Sequence, residues 1–416
     1  VPMEIGTEFD VTIGKPAAGG GFVGRSPDGI VTFVRHALPG ERVRVRVTET
    51  SSKFLRADAV AILEVSPDRV EPACALAGPG GCGGCDYQHA SLVAQRRFKG
   101  QLIAEQLERL AGITMAVTVE PAVKGDTGLG WRTAVRFSID EEGRTCLHAH
   151  RSSELIPVEH CPIATDQIHT TGVTTHRYPG MEAVSCFGHP DADTALVAFE
   201  TGPTGFLQTP EVEGAGLSVD GELLTPPART KVTVGPNRFD VSSESFFQVH
   251  RAAARALTAA VMDAARVQPG EQVADLYSGV GLFTVPLALA VGSDGVVISI
   301  ERSTEATADA RRNVRHLSQV QIVTAPVTAR TVADLLPGTD VIVMDPARDG
   351  AAKGVVDALC SLAPGARRMV FVSCDPATFA RDIARAQDQG WHLANLRALD
   401  LFPETEHVEI VGVLER

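Results

Sequence analysis

Two short stretches near the C-terminus carry residue types that can make and break bonds. In Val372-Ser373-Cys374-Asp375-Pro376, a cysteine ends the run Arg368–Val372, whose apolar and β-branched residues read as a buried strand entering a proline-containing turn. Open α/β sheets bind their ligands at the carboxyl ends of strands, which is where this thiol falls. The second stretch, Asp400-Leu401-Phe402-Pro403-Glu404-Thr405-Glu406-His407-Val408-Glu409, is an acid-rich turn with Glu409 beside His407 at the start of the last strand. Cys374 is therefore a candidate nucleophile and Glu409 a candidate proton acceptor. Glu404 and Glu406 read as solvated. A cysteine in an apolar strand is most often a small hydrophobe; Cys374 stands out because a cofactor pattern lies upstream.

That pattern begins at Gln272–Tyr277, a strand, followed by the tight turn Ser278-Gly279-Val280-Gly281 and a helix over Leu282–Ala290. One strand later, Val296–Ile300 ends in Glu301, the position of an acid that bonds a ribose diol. Two glycines and no phosphate-anchoring lysine favour S-adenosylmethionine over NAD or ATP. Asp345, after the strand Asp340–Met344, closes the same edge. Strands alternating with helices in this last third predict a parallel sheet.

A separate constellation is Cys74 with Cys82-Gly83-Gly84-Cys85, joined far downstream by Cys161. Two cysteines two residues apart in a glycine-rich loop form a chelating hook, and Cys74 and Cys161 complete four thiolates. Spacing alone leaves both an iron-sulfur cluster and zinc open. Cys146, Cys186 and Cys360 read as core residues, with Cys146 the one most easily mistaken for a ligand.

With 416 residues the chain is long enough for two or three domains, and 44% hydrophobic residues are ordinary for a globular protein. No apolar run approaches the roughly 18 residues of a membrane span, and no signal sequence opens the chain, so a cytoplasmic monomer without membrane contact is expected. Eight cysteines in such a chain point to metal binding or catalysis rather than disulfides. The net charge of −13 is unevenly spread: residues 1–64 hold eight Lys/Arg against eight Asp/Glu, while Tyr178–Ala228 holds eight acids and no Lys or Arg. A polyanion surface must then be built by the N-terminal part and the clefts.

Residues 1–64 read as short strands punctuated by glycines. In Arg42–Val47 the period of two sends Val43, Val45 and Val47 to one face and Arg42, Arg44 and Arg46 to the other, a basic stripe extended by Lys53 and Arg56. The stretch Gly14–Val34 with Ala37–Glu41 resembles the TRAM domain, a small OB-like RNA-binding barrel. Residues 65–240 form a strand-rich central domain carrying the cysteine loop, with a helix over about 93–115 packing on the catalytic domain, residues 241–416. Ala134–Ile139, Ala195–Glu200 and Lys231–Val241 are its clearest strands, and Arg132, Arg136 and Arg151 are candidates to line an RNA cleft.

Taken in order, Phe246–Val249, Asp275–Gly281, Asp345–Gly350, Val372–Asp382 and Asp400–Glu409 resemble the successive motifs of the RNA (uracil-5-)-methyltransferase family, in its iron-sulfur-containing branch with a TRAM domain. The resemblance spans nearly the whole chain. It implies an α/β architecture: a Rossmann-like S-adenosylmethionine-dependent catalytic domain behind the barrel and the central domain. It implies methylation of C5 of a uridine in structured RNA, ribosomal RNA rather than tRNA, through a covalent Cys374–C6 adduct, with Glu409 as base and His407 orienting the turn. It further implies that Gln248, Tyr277, Gly279, Glu301 and Asp345 hold S-adenosylmethionine, and that Cys74, Cys82, Cys85 and Cys161 hold a 4Fe-4S cluster. Ala347, Ser278, Leu282 and His250 depart from the usual pattern, and none of them is the nucleophile or the base. Two rivals are an S-adenosylmethionine-dependent amine methyltransferase, suggested by Asp345-Pro346, and a non-catalytic RNA-binding or chaperone module. Arg348 stands where amine chemistry wants an aromatic ring, and the intact Cys374, Glu409 and Glu301 speak against the second.

Overall fold

The computed structural model describes residues 3–203, 205, 208–362 and 365–416. Its C-terminal part is built on an eight-stranded sheet ordered Val320–Thr324, Val296–Glu301, Gln272–Leu276, Val341–Met344, Arg368–Ser373, Glu409–Glu415, His392–Asp400 and Val119–Pro121. The first five strands run parallel, and Glu409–Glu415 is antiparallel to both of its neighbours. Alternation along each strand builds two cores. Val273, Val297, Val343, Val370 and Val411 face the helices Ala253–Ala265 and Thr284–Val291. Ala274, Ile298, Ile342, Met369 and Ile410 face the opposite layer, with Ile103, Val355 and Phe379.

The predicted early helix runs Leu92–Ala111, capped by the Ser91 hydroxyl and ended by Gly112 at φ 66°. It packs on the helix Pro376–Asp388, and the short strand Val119–Pro121 that follows pairs with Ala398–Asp400, a pairing the sequence did not suggest. The helix's buried face includes Gln95 and Lys99 among Ala94, Phe98, Leu102 and Ile103. The central sheet has seven strands, Leu155–Pro157, Thr145–His148, Ala134–Ile139, Met181–Phe187, Ala195–Thr201, Ala215–Val219 and Glu222–Thr225 in spatial order. Lys231–Val241, expected as one strand, is a hairpin of Arg229–Val234 and Asn237–Ser242, because Gly235 at φ 58° turns the chain.

The N-terminal strands form a six-stranded sheet that curls on itself; a Cβ on Gly24 would lie 2.6 Å from Val11 Cγ2. The predicted alternation in Arg42–Val47 holds within the strand Arg42–Thr50, with Val43, Val45 and Val47 buried. The arginines, however, are not a free cationic stripe. The neighbouring strand Glu8–Thr12 sets carboxylates opposite them, pairing Arg44 with Asp10 at 2.9 Å, Arg46 with Glu8 at 2.8 Å, and Arg42 with Asp10 and Glu64 at 3.4 Å. Arg56 likewise meets Glu49 at 3.2 Å. Their charge is largely matched before any polyanion arrives.

Candidate active site

The predicted site residues are delivered to one edge of the large sheet by the ends of its strands. Asp345 follows Val341–Met344, Cys374 follows Arg368–Ser373, and Glu409 opens the antiparallel strand between them and His392–Asp400. The ladder pairs Ser373 with Ile410, so its next step sets Cys374 across from Glu409. Burial pushes the Cys374 thiol up to about 12, and the Glu409 carboxylate beside it acts in the same direction, against the Arg348 guanidinium. Glu409 is fully enclosed; burial, then Asp345, hold it well above the usual carboxylate range. Asp345 is itself raised by burial to about 7. Thiol and carboxyls thus form one low-dielectric cluster in which a charge on either carboxyl makes the thiol harder to ionise.

Gln248 lies before the helix Ala253–Ala265 and donates from its amide to Asp345 Oδ2 at 3.5 Å. Its loop is fixed by Thr133, whose hydroxyl meets the Val249 carbonyl at 3.1 Å, and by buried His250, which stacks on Trp131 and contacts Asp126 at 3.3 Å. Glu301 ends its strand with both carboxylate oxygens engaged, accepting from Gly279 N–H at 3.1 Å and Ser303 N–H at 2.7 Å. Gly279 takes φ 53°, and an added Cβ there would meet nothing within 4 Å, so open space stands above the turn. Beneath it lies a buried polar layer: Thr284 bonds Asp275, Ser299 bonds the Ser278 hydroxyl at 2.7 Å, and Asn313 holds the Val280 carbonyl at 2.9 Å. Tyr277 is the outlier of the set. At φ 61° it turns its ring against the core on the Phe379 side, with its hydroxyl buried and without a hydrogen-bond partner.

The turn leading to Glu409 departs from expectation. Glu404 and Glu406 are not solvated: Glu404 is 7% exposed, and burial pushes it up to about 7. Gln95 grips it from both sides, its oxygen accepting from Glu404 N–H at 2.8 Å and its amide donating to Oε2 at 2.9 Å. Lys99, wholly enclosed, donates to Asp400 Oδ1 at 2.6 Å and to the Phe402 carbonyl at 2.9 Å. Burial likewise pushes His407 down to about 4, leaving a neutral imidazole edge-on to Phe402. The sequence signal for this junction was two polar residues, Gln95 and Lys99, on the apolar stripe of a helix. Lys99→Ala is expected to lower unfolding free energy by about 3 kcal/mol in denaturant titration, because buried Asp400 would keep only the longer pairing with Arg96 at 3.8 Å.

Cys74, Cys82, Cys85 and Cys161 line one cavity, arriving from three chain segments. Gly83 allows the hook to lie against the His150 backbone, where a Cβ would come within 2.6 Å, and Gly84 N–H points to Cys82 Sγ at 3.4 Å. Arg132, expected in an RNA cleft, lines this cavity instead; its charge eases Cys82 and Cys161 toward ionisation against the burial that raises them. Arg136, the second such candidate, pairs with Glu200. Cys146 lies apart, near Asp140, and Cys186 and Cys360 are buried in cores. Among the described residues no group of three or more His, Cys, Asp or Glu side chains is arranged to hold a metal ion. No helix among them is long and apolar enough to cross a membrane.

The TRAM domain model matches residues 2–60, and a model of protein-L-isoaspartate(D-aspartate) O-methyltransferase matches residues 204–383. An uncharacterized RNA methyltransferase of Streptomyces avermitilis is 43% identical over 430 residues, with 99% of each chain covered. One of Streptomyces coelicolor is 42% identical, covering 99% of this chain and 93% of its own. Among solved structures, the tRNA (uracil-54, C5)-methyltransferase of Pyrococcus abyssi in complex with S-adenosyl-L-homocysteine superposes with a TM-score of 0.73. It is 23% identical and covers 97% of this chain and 99% of its own, a likeness of fold. With a TRAM domain at its N-terminus and relatives alike from end to end, this chain belongs to the RNA methyltransferase family.

Proposed function

We propose that the protein methylates C5 of a uridine in structured RNA, with ribosomal RNA the favoured class, through a covalent bond between Cys374 and C6. The observation that carries this reading is the register that sets Cys374 across from Glu409, with Asp345 beside both. C5 of uracil is too weak a nucleophile to take a methyl group unaided. Addition of the Cys374 thiolate to C6 pushes electron density onto C5 and makes it nucleophilic. Once C5 carries its methyl group, Glu409 takes the remaining C5 proton. The C5–C6 double bond re-forms and the C6–S bond breaks, returning the thiolate.

S-adenosylmethionine, when bound, supplies the electrophilic methyl group. Glu301 would hold its ribose and Gly279 would admit it to the open space above the turn, with Gln248 and Asp345 at the junction with the uracil; Tyr277, turned into the core, would support the turn from beneath. A ring inside a helix cannot reach Cys374. The target must leave its stack, at about a few kcal/mol, which favours a loop uridine. The reading is tested by incubating the protein with 5-fluorouridine-containing rRNA and tRNA fragments and S-adenosylmethionine, then resolving the mixture on denaturing gels. Fluorine cannot leave as a proton, so a stalled adduct on one RNA identifies chemistry and substrate together. Absence of an adduct on either class would overturn the reading.

The four cysteines around one cavity, with Arg132 facing the sulfurs, support a 4Fe-4S cluster held by Cys74, Cys82, Cys85 and Cys161. Methyl transfer is redox-neutral, so its part is structural. Protein prepared without oxygen is expected to carry about four irons per chain and broad visible absorbance. Cys82→Ser should lose both, while Cys146→Ser should keep them; equal iron in the two variants would remove the assignment.

A further inference from the structure

Glu406, three residues before the proposed base, is tied to the N-terminal barrel rather than to the catalytic sheet. Its Oε2 accepts the backbone N–H groups of Gly19 and Gly20, the latter at 2.7 Å. Both glycines have positive φ, 90° and 73°, a conformation that turns consecutive N–H groups toward one point and makes a concave anion seat. The Glu406 N–H in turn donates to Asp86 Oδ2 at 3.3 Å, and Asp86 directly follows Cys85 of the hook. Tyr87 N–H donates to the Glu404 carbonyl at 2.9 Å, so this strut joins the same turn. A Cβ on Gly20 would lie 2.5 Å from the Asp86 carboxyl carbon, which shows how closely barrel, hook and turn are fitted.

Had the turn only to join two strands, none of these contacts would be needed. They fix where the chain re-enters the sheet, and Glu409 is the first residue of that strand. We infer that Glu406 is a positioning residue for the reaction: seated in the Gly19–Gly20 cradle, it holds the turn so that Glu409 faces C5 of the ring bonded to Cys374. This rests on the function proposed above.

The consequence is specific to one step. When the turn slackens, Cys374 still adds to C6, but removal of the C5 proton slows, so the adduct lives longer. Glu406→Ala is expected to lower kcat at least about tenfold with KM for RNA changed less than about twofold. It should also accumulate the covalent adduct on ordinary uridine RNA in the presence of S-adenosylmethionine. Glu406→Gln keeps an oxygen that can accept both N–H groups and is expected to restore kcat to within about threefold of wild type. Gly20→Ala, disturbing the seat from the barrel side, should reproduce the alanine phenotype. Amide hydrogen exchange gives a readout apart from turnover: Glu406→Ala should speed exchange over 404–409 while Arg368–Ser373 stays protected. Wild-type kcat and no extra adduct in Glu406→Ala, or equal loss of activity in Glu406→Gln and Glu406→Ala, overturns the inference. So does slower adduct formation with 5-fluorouridine RNA in Glu406→Ala, since that places the defect before the base. Failure of the wild-type protein to form the 5-fluorouridine adduct overturns the functional reading and this inference together.

Discussion

Cys374→Ala is expected to lose methyl transfer to RNA by a factor of at least about 10⁴ and to form no adduct with 5-fluorouridine RNA. The loss is large because no neighbour can substitute: Asp345 and Glu409 are carboxyls raised by burial, and His407 is enclosed as a neutral ring. Cys374→Ser should behave almost identically, since a hydroxyl in the same enclosure is still harder to ionise. Folding should be spared, because the side chain sits at the edge of the sheet and leaves the ladder Arg368–Ser373 untouched. Transfer of labelled methyl groups, with thermal unfolding as control, checks the expectation. Retained activity in Cys374→Ala would favour amine methylation, which needs no thiol. A wild-type protein that binds RNA but transfers nothing would favour a non-catalytic module.

The thiol's environment adds a pH signature. Burial first, then the Glu409 and Asp345 charges, hold Cys374 up at about 12, so little thiolate exists at neutral pH in the free protein. A raised thiol pKa means alkylation by iodoacetamide should be slow at pH 7 and climb steadily as pH rises. A fast, pH-independent reaction between pH 6 and 8 would show that the thiol is already ionised.

The large sheet was legible because its strands are continuous apolar runs with a candidate site residue at each carboxyl end: Tyr277, Glu301, Asp345, Cys374. Such runs announce both their burial and their edge. The four-cysteine cavity was legible because Cys82 and Cys85 sit two residues apart in a glycine loop. Two things were not. The arginines of Arg42–Val47 looked like an open cationic face because strand pairing is non-local, and nothing in that strand reveals that Glu8 and Asp10 lie opposite. Glu404 and Glu406 looked solvated because their partners, Gln95, Gly19 and Gly20, are hundreds of residues away in sequence. Composition marks a carboxylate as polar; only tertiary packing decides whether backbone N–H groups replace its water.

Glu409→Gln is the variant that separates the two halves of the reaction. With the carboxylate gone, the proposed base for the C5 proton is lost, so kcat is expected to fall about 10²–10⁴-fold. Cys374 addition and methylation of the ring precede the loss, so RNA bonded to the enzyme should accumulate on unmodified uridine substrate, where wild type shows only traces. The substitution also removes a neighbouring negative charge whose effect on Cys374 is to raise its pKa. The sign of the shift is therefore downward, and once pH is high enough to ionise Glu409 in wild type, alkylation of Cys374 should be faster in the variant at the same pH. Slower turnover, a longer-lived adduct and a more reactive thiol form a combination that general loss of structure cannot mimic, because an unfolded site would form no adduct. If Glu409→Gln, with thermal unfolding unchanged from wild type, instead lost adduct formation along with turnover, the carboxylate would be acting before the C6–S bond forms, as the group that takes the proton from Cys374. Asp345, raised to about 7 and beside both residues, would then be the next carboxylate to replace in the search for the C5 base.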